Sequence, residues 1–396
     1  MISVTEAKQI IEQHCTAPYP VCVPLEAAFG KILAEDIYSP IDIPAYPQSS
    51  MDGYAFNFKS YNANKNALII IGEMAAGDNK DFRLTQGEAA RIFTGAALPD
   101  GADTVVMQEK VRIENNKLLI LDKTIVAGMN VRLQGAEIKQ TALALEAGSL
   151  LHPAAIGFLA GIGISKLYIY SSPVVTIIVT GNELQKPGTS LQRGQVYESN
   201  SFALHAALKA AGIDIIHIFS AADDLDILSN ILNDAISQSD VVLLTGGVSV
   251  GDYDFVIPAA EKCGVEKLFH KVKQRPGKPL YFGKKESKIV FGLPGNPSSV
   301  LTCFYQYVML ALQKMRNNRG GITFIKAALQ TPVNKAAGLT HFLKGYFNGN
   351  TVTALSGQES FRMHSFAKAN CLIEIPEAVS EVKKDELVSI CLLPGY

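Results

Sequence analysis

Tryptophan is absent from this chain, and cysteine and histidine are scarce. The six cysteines contain no Cys-x-x-Cys pair and the seven histidines include no pair at metal-ligand spacing, so the sequence offers neither a zinc motif nor a disulfide framework. We therefore expect buried free thiols in a reducing compartment, and structural roles for His152, His205 and His217. Only tyrosine and phenylalanine remain to stack on a nucleic-acid base.

Net charge and long apolar runs are lacking as well. A formal net charge of -1 over 396 residues gives no general attraction to nucleic acid or to anionic membrane, so any anion site must be local. No apolar run reaches the roughly 18–20 residues of a membrane span, and the nearest candidate, 299–312, is interrupted by Gln306. No signal-peptide pattern opens the chain. We expect a cytoplasmic protein that binds neither nucleic acid nor membrane.

The two common nucleotide-binding motifs, Gly-x-Gly-x-x-Gly and Gly-x-x-x-x-Gly-Lys-Ser/Thr, are also missing. A different glycine-rich turn, Gly-Leu-Pro-Gly-Asn-Pro-Ser at 292–298, lies between an apolar run at 289–291 and an apolar-periodic segment at 300–315. This order predicts a strand, a turn and a helix. Backbone N–H groups and the positive end of a helix dipole favour an anion at such a turn.

A cationic cluster precedes this turn. Lys271, Arg275 and Lys278 fall within ten residues, the last two inside Arg-Pro-Gly-Lys-Pro at 275–279. The cluster and the turn together predict binding of a phosphate-sized anion, and a solvated basic edge is the alternative for the cluster alone.

The secondary-structure pattern changes along the chain and predicts a multidomain α/β and β protein. A helix with a Ser3–Glu6 capping box is expected at 4–14 and a loop at 41–56. Short β runs between 66 and 125 predict a small all-β module. From 322 onward short β runs return, which predicts a small C-terminal β-barrel.

Between these regions, buried strands alternate with amphipathic helices. We expect strands at 174–180, 213–219, 241–245 and 289–291, and helices at 202–211, 225–236, 253–263 and 298–315. Strict alternation implies a parallel sheet with right-handed crossovers, and ligands of such sheets bind beyond the carboxyl ends of the strands.

Three loops follow these strands and should open on that edge, at 180–184, 220–224 and 245–254. They bring carboxylates: Glu183, one of Asp223 and Asp224, and one of Asp252 and Asp254. Carboxylates beside bound phosphates suit Mg²⁺. The alternatives are a helix N-cap for an aspartate and a simple tight turn for Gly246-Gly247.

Two loops of the N-terminal half are also dense in polar and glycine residues. They lie at 44–55, which includes Asp52-Gly53, and at 92–103, which includes Thr94-Gly95. Either could be a binding loop or a buried turn. Neither contains an adjacent nucleophile and base.

The motifs, taken together, resemble the MoeA / gephyrin E-domain family of molybdopterin molybdenumtransferases. They occur in the family's order over essentially the whole chain: Ser-Met-Asp-Gly-Tyr-Ala at 50–55, Thr-Gly-Ala at 94–96, Thr-Gly-x-Glu-Leu at 180–184, Thr-Gly-Gly-Val-Ser-Val-Gly at 245–251, Arg-Pro-Gly-Lys-Pro at 275–279 and Gly-Leu-Pro-Gly-Asn-Pro at 292–297.

The resemblance implies a magnesium-dependent insertion of molybdate into adenylylated molybdopterin, with release of AMP and formation of molybdenum cofactor. It implies a homodimer with an active site between the α/β domain of one subunit and the N-terminal β module of the other, and contact with other proteins of the pathway. The implied domains are an elongated, dimer-forming α+β domain (1–45 and 130–170), an inserted β module (46–129), an α/β molybdopterin-binding domain (171–316) and a C-terminal β-barrel (320–396).

The resemblance also implies roles for individual residues. Those implied as catalytic are Asp52, Thr94, Glu183, Asp224, Asp254, Lys271 and Arg275, with Glu183, Asp224 and Asp254 as metal ligands. Those implied to bind the substrates are Arg132, Thr180, Gly181, Gly246, Gly247, Ser249, Lys278, Gly292, Pro294, Gly295, Asn296, Pro297 and Ser360.

The chain departs from the family pattern at several positions. Arg275 replaces a frequent lysine, and Gly-Ala-Glu at 135–137 replaces Gly-Glu-Asp. In the C-terminal domain, Leu339 and Lys344 stand where the family commonly has two arginines. A molybdopterin adenylyltransferase and a gephyrin-like scaffold that binds peptides are the alternative functions.

Overall fold

The computed structural model describes residues 1–17, 19–63, 67–78, 80, 83–248, 254–317 and 323–394. The chain divides into two compact units, one formed by Met1–Val23, Gly30–Ala34 and Tyr168–Tyr396, the other by Pro24–Phe29 and Glu35–Leu167. Its helices are α1 (Val4–His14), α2 (Phe58–Ala63), α3 (Pro153–Gly161), α4 (Asn200–Ala210), α5 (Leu225–Gln238), α6 (Val256–Lys262), α7 (Pro297–Cys303), α8 (Met309–Met315) and α9 (Met363–Phe366). Among the described residues, no helix combines the length and the apolar content that spanning a membrane requires.

The N-terminal strands include the predicted β module. They are β1 (Val21–Pro24), β2 (Ile32–Leu33), β3 (Ile37–Tyr38), β4 (Gln48–Ser49), β5 (Gly53–Phe56), β6 (Ala67–Met74), β7 (Glu88–Ile92), β8 (Thr104–Met107), β9 (Val111–Glu114), β10 (Lys117–Ile120), β11 (Val131–Arg132), β12 (Leu143–Leu145) and β13 (Lys166–Tyr170). Six of them form one sheet in the second unit, in the order β8-β5-β7-β6-β10-β9.

The predicted loop at 41–56 is wrong at 48–49, which form the short strand β4, and for its last four residues. These form β5, which is fully buried between β7 and β8. Glycine is needed at its start, because a Cβ on Gly53 would lie 1.9 Å from the carbonyl oxygen of Val106 on β8. The turn residues therefore lead directly into a central strand.

The α/β domain has strands β14 (Val175–Thr180), β15 (Leu184–Gln185), β16 (Val196–Tyr197), β17 (Ile216–Ala221), β18 (Val241–Thr245), β19 (Glu266–His270), β20 (Gln274–Arg275), β21 (Tyr281–Lys285) and β22 (Lys288–Leu293). Its main sheet has the order β17-β14-β18-β22-β21-β19. The first four strands are parallel, which confirms the predicted sheet. The antiparallel pairings of β21 with β22 and with β19 extend one edge and were not predicted.

Both faces of this sheet are covered by helices. Ile177 on β14 packs in one apolar cluster with Leu204 and Leu208 of α4. Its neighbour Ile178 points to the other face, in a cluster with Leu228 and Leu232 of α5. A strand buried on both faces is apolar at most positions, which is why the nearly continuous apolar run predicted it.

The C-terminal strands form a five-stranded closed barrel, as predicted, and a separate two-stranded sheet. They are β23 (Phe324–Leu329), β24 (Val333–Asn334), β25 (Thr340–Phe347), β26 (Thr351–Ala354), β27 (Cys371–Ile375), β28 (Glu381–Val382) and β29 (Leu387–Leu392). The order β25-β26-β23-β29-β27 closes through pairing of β27 with β25. The short strand β20 also pairs with β25, which joins the cationic loop of the α/β domain to the barrel.

Candidate active site

The glycine-rich turns after β18 and β22 lie against each other at the carboxyl edge of the parallel strands. The Gly246 N–H donates to the Leu293 carbonyl at 3.3 Å. A Cβ on Gly295 would lie 3.7 Å from the Gly246 Cα, and one on Gly246 would lie 2.9 Å from both Thr180 oxygens. Gly246 and Gly247 also have φ values of 88° and 60°. Because these glycines have no side chain, the turns after β18 and β22 and the end of β14 can approach one another this closely.

Buried polar side chains around these turns have unused hydrogen-bonding capacity. The hydroxyls of Thr245, which ends β18, and Ser298, in the first turn of α7, are buried and have no partner among the described residues. The same holds for Oδ1 of Asn200, whose Nδ2 donates to the Gly295 carbonyl at 2.9 Å. Buried polar atoms are normally paired, so this group indicates a place where a polar ligand binds.

The loops after β14 and β17 are joined by a reciprocal pair of hydrogen bonds. The Asn182 N–H donates to Asp223 Oδ2 at 3.1 Å, and the Asp223 N–H donates to Asn182 Oδ1 at 3.3 Å. Asp224 instead caps α5, where its Oδ1 accepts from the N–H groups of Asp226 and Ile227, each at 2.9 Å. Of the two aspartates, Asp223 is the one that faces the neighbouring loop.

Glu183 follows β14 and its side chain is exposed. Its carboxylate lies over Gly181, where a Cβ would come within 2.9 Å and 3.0 Å of the two carboxylate oxygens. Gly181 thus makes room for Glu183 at the edge of the sheet.

The remaining carboxylate of the predicted metal set is Asp254, which is half-buried. Ser249 and Asp252, also predicted for this site, lie outside the described residues. Within the described ranges, no three histidine, cysteine, aspartate or glutamate side chains come close enough to hold a metal ion. The described residues therefore contain no complete set of protein ligands for a metal ion. Carboxylates at a ligand edge still fit Mg²⁺, which usually takes one or two from protein and completes its shell with phosphate and water.

The cationic residues share one loop, as predicted. The Lys271 N–H donates to the Leu280 carbonyl at 3.0 Å, and the Val272 N–H donates to the Lys278 carbonyl at 3.0 Å, so the loop is held closed at its base. Arg275 and Lys278 are exposed, and Lys271 is half-buried. The loop thus presents positive charge to solvent.

His270 was not predicted as part of the site. It immediately precedes the cationic loop, and its Nε2 lies 3.0 Å from the Val248 carbonyl in the loop after β18. Burial lowers the pKa of its imidazole. A lone histidine carries no spacing signal, so the sequence could not identify this contact.

The glycine-rich turn also contacts the C-terminal barrel. Asn296 Nδ2 donates to Ser360 Oγ at 3.1 Å, and the Ser298 N–H donates to the Ser360 carbonyl at 3.1 Å. The structure thus brings predicted residues Asn296 and Ser360 together.

In the second unit, Asp52 and Thr94 are brought together. Asp52 Oδ1 accepts from the Thr94 N–H at 2.8 Å and from its hydroxyl at 2.7 Å. These two bonds lower the pKa of the Asp52 carboxyl. Arg91 was not predicted as part of this site. Its positive charge lies close enough to lower the pKa of Asp52 further. Its guanidinium lies over the rings of Tyr54, at 5.1 Å, and Phe93, at 5.0 Å.

Arg132 ends β11, which pairs with β4. It is exposed and lines a cavity of about 600 Å³ with Tyr46, Gln48 and Glu137 among its neighbours. This cavity belongs to the second unit alone.

Comparison with known proteins agrees with this geometry. Residues 2–163 match the model of the MoeA N-terminal region (domain I and II), 176–314 that of a probable molybdopterin binding domain, and 326–393 that of the MoeA C-terminal region (domain IV). Curated relatives named molybdopterin molybdenumtransferase include that of Haemophilus influenzae, 32% identical over 98% of both chains, and that of a Nostoc species, 35% identical over 94% of this chain and 88% of the relative.

Solved structures agree as well. A molybdopterin biosynthesis MoeA protein from Pyrococcus horikoshii matches with a TM-score of 0.86 and 33% identity over 100% of both chains. A second solved structure, of a molybdopterin biosynthesis MoeA protein from Pyrococcus horikoshii OT3, matches with a TM-score of 0.82 and 29% identity over 99% of this chain and 100% of the other. This chain therefore belongs to the MoeA family of molybdopterin molybdenumtransferases, enzymes of molybdenum cofactor biosynthesis.

Proposed function

We propose that this chain inserts molybdate into adenylylated molybdopterin and releases AMP, and that Mg²⁺ supports the reaction. The observation that carries the proposal is the group of unpartnered buried polar atoms at Asn200, Thr245 and Ser298 around glycine turns at the carboxyl edge of the sheet. A pterin has N–H and carbonyl groups along one edge, so it can satisfy donors and acceptors together.

The chemistry of the reaction fits the charges at this edge. Cleaving a phosphoanhydride depends on positioning and charge stabilisation more than on a protein nucleophile. Lys271, Arg275 and Lys278 would hold the anionic molybdate near the anionic phosphate and reduce their repulsion. Mg²⁺, where bound, would neutralise phosphate charge.

For the metal we propose one or two carboxylates from the set Glu183, Asp223 and Asp254, with substrate phosphate and water completing the coordination. Asp223 is preferred to Asp224 because Asp224 already accepts two helix N–H groups. Ser249 and Asp252 remain predictions.

The test follows AMP release from purified protein, adenylylated molybdopterin, Mg²⁺ and molybdate. We expect molybdate-dependent release that is lost in Asp254→Ala and Asp223→Ala. Asp224→Ala is the matched control: it should keep the activity and lose only the stability of a helix cap, about 1 kcal/mol. Absence of molybdate-dependent release by intact wild-type protein refutes the proposal, and adenylylation from ATP would then identify an adenylyltransferase.

We further propose a homodimer whose active sites combine Asp52, Thr94 and Arg132 of one subunit with the sheet edge of the other. Asp52→Ala and Asp254→Ala should each be inactive. When they are unfolded together and refolded as a mixture, about a quarter of the wild-type activity should return, because half of the dimers are mixed and each holds one intact site. No recovery would show that both residues act within one subunit.

A further inference from the structure

The loop that carries Ser360 is organised by one buried lysine beneath it. Lys344 lies on β25 and only 2% of its surface is exposed. Its Nζ donates to the backbone carbonyls of Gly357 at 2.7 Å, Glu359 at 3.3 Å and Arg362 at 3.1 Å. These three carbonyls lie on both sides of Ser360 in sequence.

The ammonium group has three N–H donors, and three carbonyls accept them. Lys344 therefore has no donor left for a substrate oxyanion, and its burial keeps such an anion away. An arginine at this position would carry five N–H groups in a planar fork and could serve the loop and a ligand together. In this chain the cation at position 344 serves the loop alone.

The main chain of Lys344 holds the same loop. Its N–H donates to Gln358 Oε1 at 2.9 Å, and Gln358 Nε2 donates back to the Lys344 carbonyl at 2.9 Å and to the Leu355 carbonyl at 2.7 Å. Side chain and main chain of one strand residue thus set the path of residues 355–362.

That path determines how the loop meets α7. The Ser360 carbonyl accepts the Ser298 N–H, one of the first-turn donors that a helix cannot satisfy internally, and the Ser360 hydroxyl accepts from Asn296. A shift of the loop would change both contacts at the turn that is expected to bind the anion.

We propose that Lys344 is a positioning residue: by binding three carbonyls it seats Ser360 on the start of α7. It thereby sets the affinity for molybdate of the anion site that this turn forms together with the cationic loop. The part about molybdate rests on the proposed function, whereas the seating of Ser360 does not.

The first experiment measures hydrogen exchange of the Ser298 amide in the full-length protein without ligands. Lys344→Met keeps the aliphatic chain and removes the donors, and Lys384→Met, at an exposed position, is the control. We expect exchange at Ser298 to be roughly tenfold faster in Lys344→Met, as for the loss of one hydrogen bond, and unchanged in Lys384→Met. Equal protection in both variants overturns the proposal.

The second experiment measures the molybdate dependence of AMP release. Lys344→Met should raise the KM for molybdate roughly tenfold with a smaller effect on kcat. Ser360→Ala removes the hydroxyl contact with Asn296 and keeps the carbonyl contact with Ser298. If Lys344 acts through Ser360, the effects of Lys344→Met and Ser360→Ala should therefore be less than additive; fully additive effects overturn the proposal. If wild-type protein releases no AMP, the proposed function fails, and the exchange result still decides the seating of Ser360.

Ser365→Ala provides the test should Lys344→Met not fold. Ser365 Oγ lies within hydrogen-bond distance of two of the same carbonyls, those of Gly357 at 2.6 Å and Arg362 at 3.2 Å, and can donate its one hydrogen to either. We expect a smaller acceleration of exchange at Ser298 in this variant. If the Ser298 amide exchanges at the wild-type rate in Ser365→Ala, the proposal is contradicted by a variant that keeps Lys344.

Discussion

Gly277, at the centre of the cationic loop, is packed against the helix that begins at the glycine-rich turn. It has a φ of 83° and is buried. A Cβ there would lie 2.5 Å from Cys303 Sγ on α7 and 3.0 Å from Gln274 Nε2. Gly277→Ala should therefore be destabilising for two separable reasons. The left-handed backbone costs an alanine about 1–2 kcal/mol, and overpacking in a close-packed interior costs about 1–3 kcal/mol more.

The overpacking contribution depends on Cys303 and can be isolated. Cys303→Ala removes the sulfur, so in that background Gly277→Ala should lose most of the overpacking cost and keep the backbone cost; the contact with Gln274 Nε2 remains. Native-state hydrogen exchange of the α7 amides measures the local opening free energy in all four proteins of the cycle. We expect a favourable coupling of about 1–3 kcal/mol between the two substitutions. A coupling near zero would refute the reasoning, because it would mean that the loop moves away from α7 at no cost.

Three further predictions concern other parts of the chain. Thr94→Val should raise the pKa of Asp52 towards its usual value, which an NMR titration would measure. Folding lowers the pKa of Asp52, so the ionised carboxylate stabilises the folded protein above the pKa of the unfolded state. This stabilisation is lost as the pH falls through the pKa of the folded state. The backbone N–H bond at position 94 remains in this variant, so an unchanged Asp52 titration would disprove the role of the Thr94 hydroxyl. With a thiol reagent under native conditions, Cys22 should react first and the other five cysteines only on unfolding, since they are buried; fast reaction of a second thiol would contradict this. Gly53→Ala should lower the free energy of unfolding by more than about 3 kcal/mol, because the alanine Cβ would overlap the Val106 carbonyl oxygen. A free energy of urea unfolding close to that of the wild type would refute the pairing of β5 with β8.

Much of the architecture follows from local patterns. The capping box at Ser3 predicted the first helix, and the structure confirms both of its hydrogen bonds. The strand 241–245 has the predicted bounds. A short continuous apolar run between polar and glycine residues is typical of a strand covered on both faces, and its short length favours a strand over a helix, so the local pattern was enough to predict it. The predicted division into four domains stays a prediction.

The sequence by itself determined the kind of protein: glycine turns after buried strands, a cationic loop, carboxylates at strand ends and family motifs in their order. The tertiary structure decided which of two adjacent aspartates faces its neighbour, since Asp224 is held by its own helix and Asp223 by the next loop. It also decided that Lys344 points into its own loop. A residue's type and neighbours in sequence limit which bonds it can make, but the partner that it bonds to is chosen by long-range packing, which local patterns do not encode.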